Sequence, residues 1–422
     1  MDDFRSTAGA TRGAGAGERE GAAGPGPVLM VTPRWSRDGG VATHAMASAE
    51  ALVRRGIVVR VLAARAESEE PVAGVRVTLS PRLLDRALTP ALRVADALRE
   101  RPGVVHLHQF EDPDVLEHLR RVAPVLVSVH GYSGCTSGVH HFAPGEECRR
   151  AHGPGCVPNL AARGCAHTRD PRWIPAAYRR TSRSVRALRA ADLALSYSSV
   201  IDRHLASNGV ARRMEIPLFS TVAARSGSGH EQRRRVLFVG RIVASKGVDV
   251  LIRAARTVDA EFVICGDGWQ LEAMRRLARR TGVYARVRFT GWLDGESIAQ
   301  ELADASIVAV PSVWPEPFGL VGIEAFGAGR PVVASATGGI EEWLEDGVSG
   351  LLVPPGDVDA LAAALTGLLA SPARQREMGE AGRRSAHTRF TAELHVEALL
   401  GAYRAASGEW RARAQPGAAA ST

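Results

Sequence analysis

Short apolar runs alternate with longer amphipathic segments along most of the chain. In the first half, six runs have the length of buried strands: 28–32, 57–63, 75–79, 104–108, 124–129 and 193–197. Six more follow in the second half: 236–240, 261–265, 286–290, 306–310, 332–335 and 351–353. Apolar strands that alternate with helices are typical of parallel sheets covered on both faces. The pattern therefore predicts an α/β protein.

The alternation breaks between Pro217 and Arg235, where serines and glycines interrupt the apolar pattern. Two doubly wound domains suit the 422 residues better than one very wide sheet. The predicted parts are a tail (1–26), an N-terminal domain (27–216), a linker (217–234), a C-terminal domain (235–391), a last helix (392–406) and a second tail (407–422). Both tails are expected to be disordered, because they are rich in Gly, Ala and polar residues.

Two glutamates lie eight positions apart in the run WPEPFGLVGIEA, residues 314–325. A buried strand precedes this run, so Glu316 is predicted in a loop at the mouth of a cleft and Glu324 about one turn into a helix. Ligands of open α/β sheets bind at the carboxyl ends of the strands, where helix N-termini attract anions. Carboxylates also accept hydrogen bonds from vicinal hydroxyls, so the run favours a ligand with phosphate and polyol parts. The alternative is an exposed loop glutamate followed by a helix N-terminal one.

Only one of the 53 basic residues, Lys246, is a lysine. It lies in the run VLFVGRIVASKGVD, residues 236–249, in which a buried strand leads through a glycine loop into a helix. Arg241 and Lys246 are both expected on an exposed rim beside Glu316, where a planar guanidinium and a compact ammonium suit a diphosphate. Two solvated loop cations are the alternative.

These motifs resemble those of family 4 of the glycosyltransferases, retaining enzymes with the GT-B fold of two doubly wound, Rossmann-like domains that face each other across a cleft. The resemblance runs from Val28 to Tyr403 and is strong over 235–365, which includes GGIEE at 338–342 and GLLVPPGD at 350–357. It implies that the Gly-Arg-x4-Lys-Gly loop binds the donor diphosphate. It also implies that Glu316 contacts the sugar and Glu324 the ribose, and that the last helix crosses back to the first domain.

The candidate site residues follow from the motifs together with the resemblance. The predicted catalytic residues are His130, Arg241, Lys246 and Glu316. The predicted donor-binding residues are Gly39, Gly40, Gly240, Arg241, Lys246, Gly291, Trp292, Leu293, Glu316, Phe318, Gly319, Leu320, Val321 and Glu324. The predicted acceptor residues are His106, His108 and Glu111.

In the N-terminal half, Gly39 and Gly40 separate the first strand from a helix predicted at 41–56. Backbone without side chains lets a phosphate or sugar approach closely, although the pair also suits any tight turn. His130 ends a strand and is followed by Gly131, whereas the family usually has His-Asp there. The resemblance implies that His130 contacts the donor sugar. Gly131 has no side chain that could take the role of the family's aspartate. For His106 and His108 a structural role is equally consistent with the sequence.

The segment 131–170 contains Cys135, Cys148, Cys156 and Cys165 together with several histidines. Four thiols in about forty residues can hold a structural zinc ion. However, no Cys-x2-Cys pair is present, and the spacings are not diagnostic. Reduced thiols in a loop that shapes the acceptor site are the favoured interpretation, and no metal or other cofactor is expected. Cys265 ends a core strand and is interpreted as a buried apolar residue.

The net charge is +8 and the isoelectric point is about 9.8. Such charge is compatible with nucleic acid or an anionic membrane surface. The arginines are dispersed, however, and no nucleic-acid module or transmembrane run is present, so a cytoplasmic protein with an anionic small-molecule substrate is predicted.

The predicted reaction is transfer of N-acetylglucosamine or another hexose from a UDP-sugar to a hydroxyl of a small acceptor. An aminoglycoside-type metabolite of antibiotic biosynthesis is one candidate acceptor, because Glu111, Asp112, Asp114, Glu146 and Glu147 could pair with a polycation. Enzymes of cell-envelope polysaccharide or glycolipid synthesis, a GT-B phosphorylase or synthase, and a non-catalytic basic binding protein are the alternatives. The sequence leaves the sugar, the nucleotide, the acceptor and the oligomeric state open.

Overall fold

The computed structural model describes residues 25–37, 39–66, 72–136, 148–162, 165, 170, 172–221 and 234–414. Within these ranges the first half forms a parallel sheet in the order β3-β2-β1-β4-β5-β6-β7. Its strands are β1 Val28–Trp35, β2 Val59–Ala66, β3 Val75–Leu79, β4 Val104–His108, β5 Val125–Ser128, β6 Leu193–Ser196 and β7 Arg213–Glu215. Its helices are α1 Gly40–Arg54, α2 Pro90–Leu98, α3 Pro113–Leu119, α4 Cys156–Ala162, α5 Trp173–Ala190 and α6 Ser199–Ser207.

The second half forms another parallel sheet, in the order β10-β9-β8-β11-β12-β13. Its strands are β8 Arg235–Val239, β9 Glu261–Cys265, β10 Val287–Gly291, β11 Ile307–Val310, β12 Val332–Ser335 and β13 Gly350–Val353. The helices that follow are α7 Val248–Ala254, α8 Leu271–Arg280, α9 Gly295–Asp304, α10 Leu320–Gly327, α11 Ile340–Trp343, α12 Val358–Leu369, α13 Pro372–Arg389 and α14 Ala392–Ala414. Among the described residues, no helix has both the length and the apolarity needed to cross a bilayer.

All the strands predicted from the apolar runs are present, with ends that differ by at most three residues. The runs were recognisable because most of these strands are buried on both faces. The short edge strand β7 was missed, because only Met214 of its three residues is apolar. The α/β prediction with two doubly wound sheets is confirmed.

Each sheet has one place where the direction of chain progression reverses. In the first sheet the reversal lies between β1 and β4, and in the second it lies between β8 and β11. At such a switch point the two following loops diverge and leave a crevice at the carboxyl ends of the strands. The loops after β1, β8 and β11 carry Gly39, Lys246 and Glu316, so the predicted residues lie at these two crevices.

The last helix, α14, crosses back to the first half of the chain and packs against α1, β5 and β6. Val396, Leu399 and Tyr403 are buried on this face. The helix extends to Ala414, so the prediction of a disordered tail from residue 407 was wrong for residues 407–414. Trp410 Nε1 donates to the Arg120 carbonyl oxygen at 2.7 Å, and Arg413 forms an ion pair with Asp192. These contacts stabilise the additional turns, and they are not visible in the local sequence.

Replacing Leu399 by alanine should lower the free energy of unfolding by about 2–5 kcal/mol, because it empties a fully buried site. Leu394→Ala, on the exposed side of the same helix, should change it by no more than about 0.5 kcal/mol. Urea denaturation followed by circular dichroism measures both values. Equal effects of the two variants would show that α14 is not packed as described.

Candidate active site

Two loops at the carboxyl edge of the second sheet are held against each other. Gly247 has φ +65°, and a Cβ atom there would lie 1.9 Å from the Pro311 carbonyl oxygen, so only glycine permits this approach. Val313 donates its N–H to the Ser245 carbonyl oxygen at 3.0 Å. The loop after β8 is thereby fixed beside the loop after β11.

Lys246 and Glu316 meet where these loops touch. Lys246 Nζ lies 2.6 Å from Glu316 Oε1, and Ser312 Oγ donates to the same oxygen at 2.5 Å. Glu316 is buried, with 2% of its surface exposed, and 22% of the Lys246 side chain is exposed. Lys246 is therefore less exposed than the sequence predicted, because it pairs with a carboxylate that burial would otherwise destabilise.

The backbone of Glu316 is fixed by the Gly338–Gly339 turn. Gly339 donates its N–H to the Glu316 carbonyl oxygen at 2.8 Å. At Gly338, which has φ +63°, a Cβ atom would lie 2.4 Å from the Glu316 nitrogen, so a larger residue would displace the loop. The glycine pair in the GGIEE motif thus positions the predicted sugar-binding carboxylate.

Two helix N-termini point into the space between the two halves of the chain. Neither α10, which begins after Gly319, nor α1, which begins after Gly39, has a side-chain cap or an acidic residue in its first turn. A Cβ atom on Gly40 would lie 3.7 Å from Leu320 Cδ1, which shows that the two helix starts face each other closely. Uncapped N–H groups on both sides make this space attractive to an anion.

Arg241 adds a positive charge on the rim of this space. Its side chain is exposed and forms no ion pair with another described residue. Gly240, directly before it, has φ +155°. With Lys246, this places the two predicted cations after the same strand and beside the helix termini.

Glu324 lies half-buried in α10, about one turn from its start. Burial raises the pKa of its carboxyl group to about 7, while the Thr221 hydroxyl, 3.3 Å from Oε1, opposes the rise. The group therefore exchanges a proton near neutral pH and can donate or accept a hydrogen bond from a polyol.

The remaining predicted donor residues lie around the same edge. Gly291 ends β10 with φ +76°, Trp292 is 53% exposed, and Leu293 packs against the core. Phe318 is buried, and its carbonyl oxygen accepts a hydrogen bond from Trp343 Nε1 at 2.7 Å. Trp269, which follows β9 and is 76% exposed, was not singled out from the sequence. The two exposed indoles provide flat apolar surfaces on this edge.

Two side chains of the first half of the chain form hydrogen bonds with the Glu316 loop. Tyr132 Oη donates to the Pro315 carbonyl oxygen at 3.0 Å, and Ser198 Oγ donates to the Pro317 carbonyl oxygen. The donor atoms belong to the first half and the acceptors flank Glu316. The placement of this glutamate therefore depends on the closed arrangement of the two halves.

A second contact between the halves involves Glu342 of α11. Its carboxylate accepts hydrogen bonds from Ser199 Oγ at 2.8 Å and from the Ser199 N–H at 3.2 Å, so it caps the N-terminus of α6. Sequence reasoning missed these contacts, because each partner is more than a hundred residues distant. The GGIEE motif was noticed, but it does not reveal what Glu342 binds.

His130 follows β5 in the first half of the chain and stacks on Tyr197, with ring centroids 4.7 Å apart. Burial lowers its pKa well below the usual value, and His108 and His395 nearby lower it further. His130 is therefore a neutral imidazole, suited to hydrogen bonding rather than to ion pairing. Its Nε2 is buried and has no partner among the described residues.

A chain of buried hydrogen bonds connects Tyr197 to Tyr403 of α14. Tyr403 Oη lies 3.0 Å from His106 Nδ1, His106 Nε2 lies 2.7 Å from Ser128 Oγ, and Ser128 Oγ lies 2.5 Å from Tyr197 Oη. Both nitrogens of His106 are thus occupied inside the protein. This geometry supports the structural alternative for His106 and not the acceptor contact.

His108 is also buried, but neither of its ring nitrogens has a partner among the described residues. Burial lowers its pKa to about 3. It lies beside His106 and His130 in the interior. Its acceptor role stays a prediction.

Two of the five carboxylates that were expected to meet a polycationic acceptor already have arginine partners. Asp112 binds Arg93 at 3.1 Å and Arg183 at 2.9 Å, and Asp114 also binds Arg183 at 2.9 Å. Glu111 instead accepts a hydrogen bond from Ser133 Oγ at 2.5 Å. Glu146 and Glu147 lie outside the described residues. The arrangement gives the polycation hypothesis no support.

The four cysteines of the 131–170 segment are reduced and half-buried. Among the described residues, no three His, Cys, Asp or Glu side chains are grouped so that they could hold a metal ion. Residues 137–147, 163–164, 166–169 and 171 lie outside the described ranges. The described part of the segment therefore gives no support to the zinc alternative. Cys265 is buried in the core, as predicted.

Family models match both halves of the chain. Residues 38–216 match the model described as Glycosyltransferase Family 4, and residues 223–385 match Glycosyl transferases group 1. A D-inositol 3-phosphate glycosyltransferase from Kribbella flavida is 40% identical over 200 residues, which are 44% of this chain and 47% of that protein. An uncharacterised glycosyltransferase from Methanocaldococcus jannaschii is 37% identical over 142 residues, or 33% and 36% of the two chains. The chain thus spans less than half the length of these relatives.

Solved structures share the fold over nearly the whole chain. Sucrose-phosphate synthase from Thermosynechococcus elongatus superposes with a TM-score of 0.68 at 22% identity and covers 90% of this chain and 98% of its own. Anabaena HepE in complex with UDP-glucose gives a TM-score of 0.68 at 18% identity, with coverage of 90% and 99%. With two Rossmann-like halves and matches to both family models, the chain belongs to the family 4-like glycosyltransferases of the GT-B fold.

Proposed function

We propose that this protein transfers a hexose from a UDP-sugar to a hydroxyl group of a small acceptor, with retention of configuration. The observation that carries the proposal is the Lys246–Glu316 pair between two uncapped helix N-termini at the carboxyl edge of the second sheet. A cation, N–H groups and a carboxylate within one crevice match a ligand that has both a diphosphate and a polyol. The UDP complexes of the similar Anabaena protein support the choice of nucleotide.

The diphosphate lies, in this proposal, between Arg241, Lys246 and the first N–H groups of α10. When the bond between the anomeric carbon and the phosphate oxygen breaks, negative charge grows on the departing UDP. Fixed cations and backbone dipoles stabilise that charge without having to reorganise. Arg241 has no competing ion pair among the described residues, so it is available to the phosphate.

The two glutamates then contact different parts of the donor. Glu316, held by Lys246 and Ser312, faces the transferred sugar, and its second oxygen accepts hydroxyl hydrogen bonds. Glu324, one turn into α10, contacts the ribose. Its raised pKa suits a hydrogen-bonding role near neutral pH.

The acceptor approaches from the first half of the chain, near His130. A bond forms between the acceptor oxygen and the anomeric carbon as the bond to UDP breaks, and the hydroxyl proton passes to the departing phosphate. Closure of the two halves excludes water from this step. The bonds from Tyr132 and Ser198 to the Glu316 loop tie that closure to the donor site. The cytoplasmic location and the link to antibiotic biosynthesis stay predictions.

A screen of UDP-, GDP- and ADP-sugars tests the donor. Each is added to the purified protein, thermal stabilisation is measured by scanning fluorimetry, and released nucleoside diphosphate is then assayed. The proposal expects stabilisation by UDP and by at least one UDP-sugar. Stabilisation by GDP- or ADP-sugars alone would show that the donor nucleotide is not UDP. Phosphate-dependent cleavage of a glycoside would favour a phosphorylase instead.

Lys246→Ala should lower turnover by a factor on the order of a hundred, because one charge-stabilising donor is lost at the leaving group. Thermal stability should also fall, since Glu316 would be buried without its cation. Lys246→Arg should restore activity only in part, because a guanidinium is wider than an ammonium. Arg253→Ala, an exposed cation in α7, serves as the control and should change neither property. Wild-type turnover of Lys246→Ala would contradict the diphosphate assignment.

Glu324→Gln should weaken the binding of free UDP, whereas Glu316→Gln should spare UDP and impair turnover of the complete UDP-sugar. The reason is that one residue is assigned to the ribose and the other to the sugar. Calorimetry with UDP and a steady-state assay give the two readouts, with the exposed Glu341→Gln of α11 as the control. The same loss of UDP affinity in both variants would reject this division.

Tyr132→Phe should lower kcat up to about tenfold, since it removes one neutral hydrogen bond to the Glu316 loop. The dissociation constant for UDP should stay unchanged, because the nucleotide contacts lie in the second half. Tyr284→Phe, which alters an exposed hydroxyl distant from the loop, is the matched control. A parallel loss of UDP binding would show that Tyr132 acts on general stability rather than on closure.

A further inference from the structure

A cavity of about 490 Å³ lies in the first half of the chain, at the carboxyl ends of β1 and β4. Its wall includes Arg86, Arg93, Gln109, Glu111 and Arg180. A second cavity of about 370 Å³ adjoins it and shares Arg86 and Arg93. Together they form a pocket with an unusual concentration of guanidinium groups.

The pocket is connected to the Glu316 loop by a short stretch of chain. Glu111 accepts a hydrogen bond from Ser133, the residue after Tyr132, and Tyr132 donates to the Pro315 carbonyl oxygen. This hydrogen-bonded stretch couples the wall of the pocket to the loop that carries Glu316.

Positive charge exceeds negative charge on this wall. Burial acts to raise the pKa of Asp112, but the hydrogen bond and charge of Arg93, together with the charge of Arg183, outweigh it and hold the pKa below its usual value. Burial raises the pKa of Glu111, so this carboxyl shifts towards its neutral form. The two cavities are lined by four arginines, Arg86, Arg93, Arg180 and Arg183, and by three carboxylates, Glu111, Asp112 and Asp114, so guanidinium groups are in excess.

Two of these arginines are available to a ligand. Arg180 is exposed and forms no ion pair or hydrogen bond with another described residue. Arg86 is 66% exposed on its side chain, and its nearest carboxylate oxygen is 4.0 Å away. Arg93, by contrast, is buried and bound to the Leu83 carbonyl oxygen and Asp112. The pocket thus has a fixed charge at its base and two exposed guanidinium groups on its rim, of which Arg86 forms a long ion pair with Asp112.

Backbone strain points to the same place. Gln109, on the pocket wall, has φ +51°, the left-handed region that residues other than glycine rarely adopt. It is the only described residue other than glycine with a positive φ. Such strained residues cluster at ligand sites, where the surrounding structure maintains them.

We propose that this pocket binds a phosphate group on the acceptor, so that the acceptor is a phosphorylated sugar or polyol. The proposal rests on the proposed function, because the free hydroxyl of this acceptor receives the sugar. Guanidinium forks match phosphate oxygens in pairs, which gives orientation as well as affinity. An anionic acceptor replaces the polycationic one that the sequence suggested.

Calorimetric titration of the UDP-saturated protein tests the pocket, because UDP then occupies the donor cations. The probes are two matched pairs, inositol 3-phosphate with myo-inositol and fructose 6-phosphate with fructose, together with the cationic aminocyclitol 2-deoxystreptamine. At least one phosphorylated probe should bind, and its neutral counterpart should bind at least tenfold more weakly. The double variant Arg86→Ala/Arg180→Ala should lose ten- to a hundredfold in affinity for the phosphorylated probe, as expected for lost hydrogen bonds to a charged group.

Arg186→Ala is the control, since Arg186 lies on α5 like Arg180 but binds Asp114 and lies outside both cavities. It should bind the probe like the wild type. The proposal is overturned if neither phosphorylated probe binds, if the double variant binds as well as the control, or if 2-deoxystreptamine binds more tightly. If UDP itself does not bind, the donor proposal fails, and the same titration without UDP still tests the pocket separately.

Discussion

The buried carboxylate of Glu316 is the constraint on which the rest of the site depends. A carboxylate that loses its water is strongly destabilised unless a cation and hydrogen-bond donors replace that water. Here Lys246 and Ser312 replace it on one oxygen, and the Gly338–Gly339 turn fixes the backbone. Because these partners come from three separate loops, the loops cannot move independently of the carboxylate.

The first half of the chain takes part in the same constraint. Its Tyr132 and Ser198 hydroxyls donate to the carbonyl groups on either side of Glu316. In the opposite direction, Glu342 of the second half caps the N-terminus of α6 in the first half. In an open arrangement of the halves these polar groups would exchange with water. Closure therefore has a direct structural effect on the glutamate that is proposed to contact the sugar.

Arginine and lysine occupy different kinds of position in this protein. Arginine supplies the surface charge, the buried guanidinium of Arg93 and the exposed guanidinium groups of Arg86 and Arg180. Lysine occurs once, where a compact ammonium must reach a buried carboxylate in a narrow space between two loops. A guanidinium is wider and planar, so it would not take that place without displacing the loops.

Much of the fold was predictable because its signals are local. The apolar runs identified every strand except β7, and the glycine and proline positions located the loops at both switch points. The spacing of Glu316 and Glu324 placed one in a loop and the other in a helix. These features depend on residues that are close together in sequence.

The rest depends on partners that are distant in sequence. No local pattern shows that Lys246 pairs with Glu316, that both nitrogens of His106 are occupied in the interior, or that Asp112 is neutralised by arginines. The extension of α14 to Ala414 likewise depends on contacts with Arg120 and Asp192. Pairings of this kind are fixed only when the whole chain has folded.

A crystal structure of the protein with UDP bound would test the assignment of the diphosphate site most directly. The diphosphate should lie within hydrogen-bond distance of Lys246 Nζ, the Arg241 guanidinium and the first N–H groups of α10, with Glu324 at the ribose. Lys246 should still contact Glu316, and Tyr132 should still contact Pro315. A diphosphate bound elsewhere, or one that leaves Lys246 and the start of α10 without contact, would show that these residues do not form the donor site.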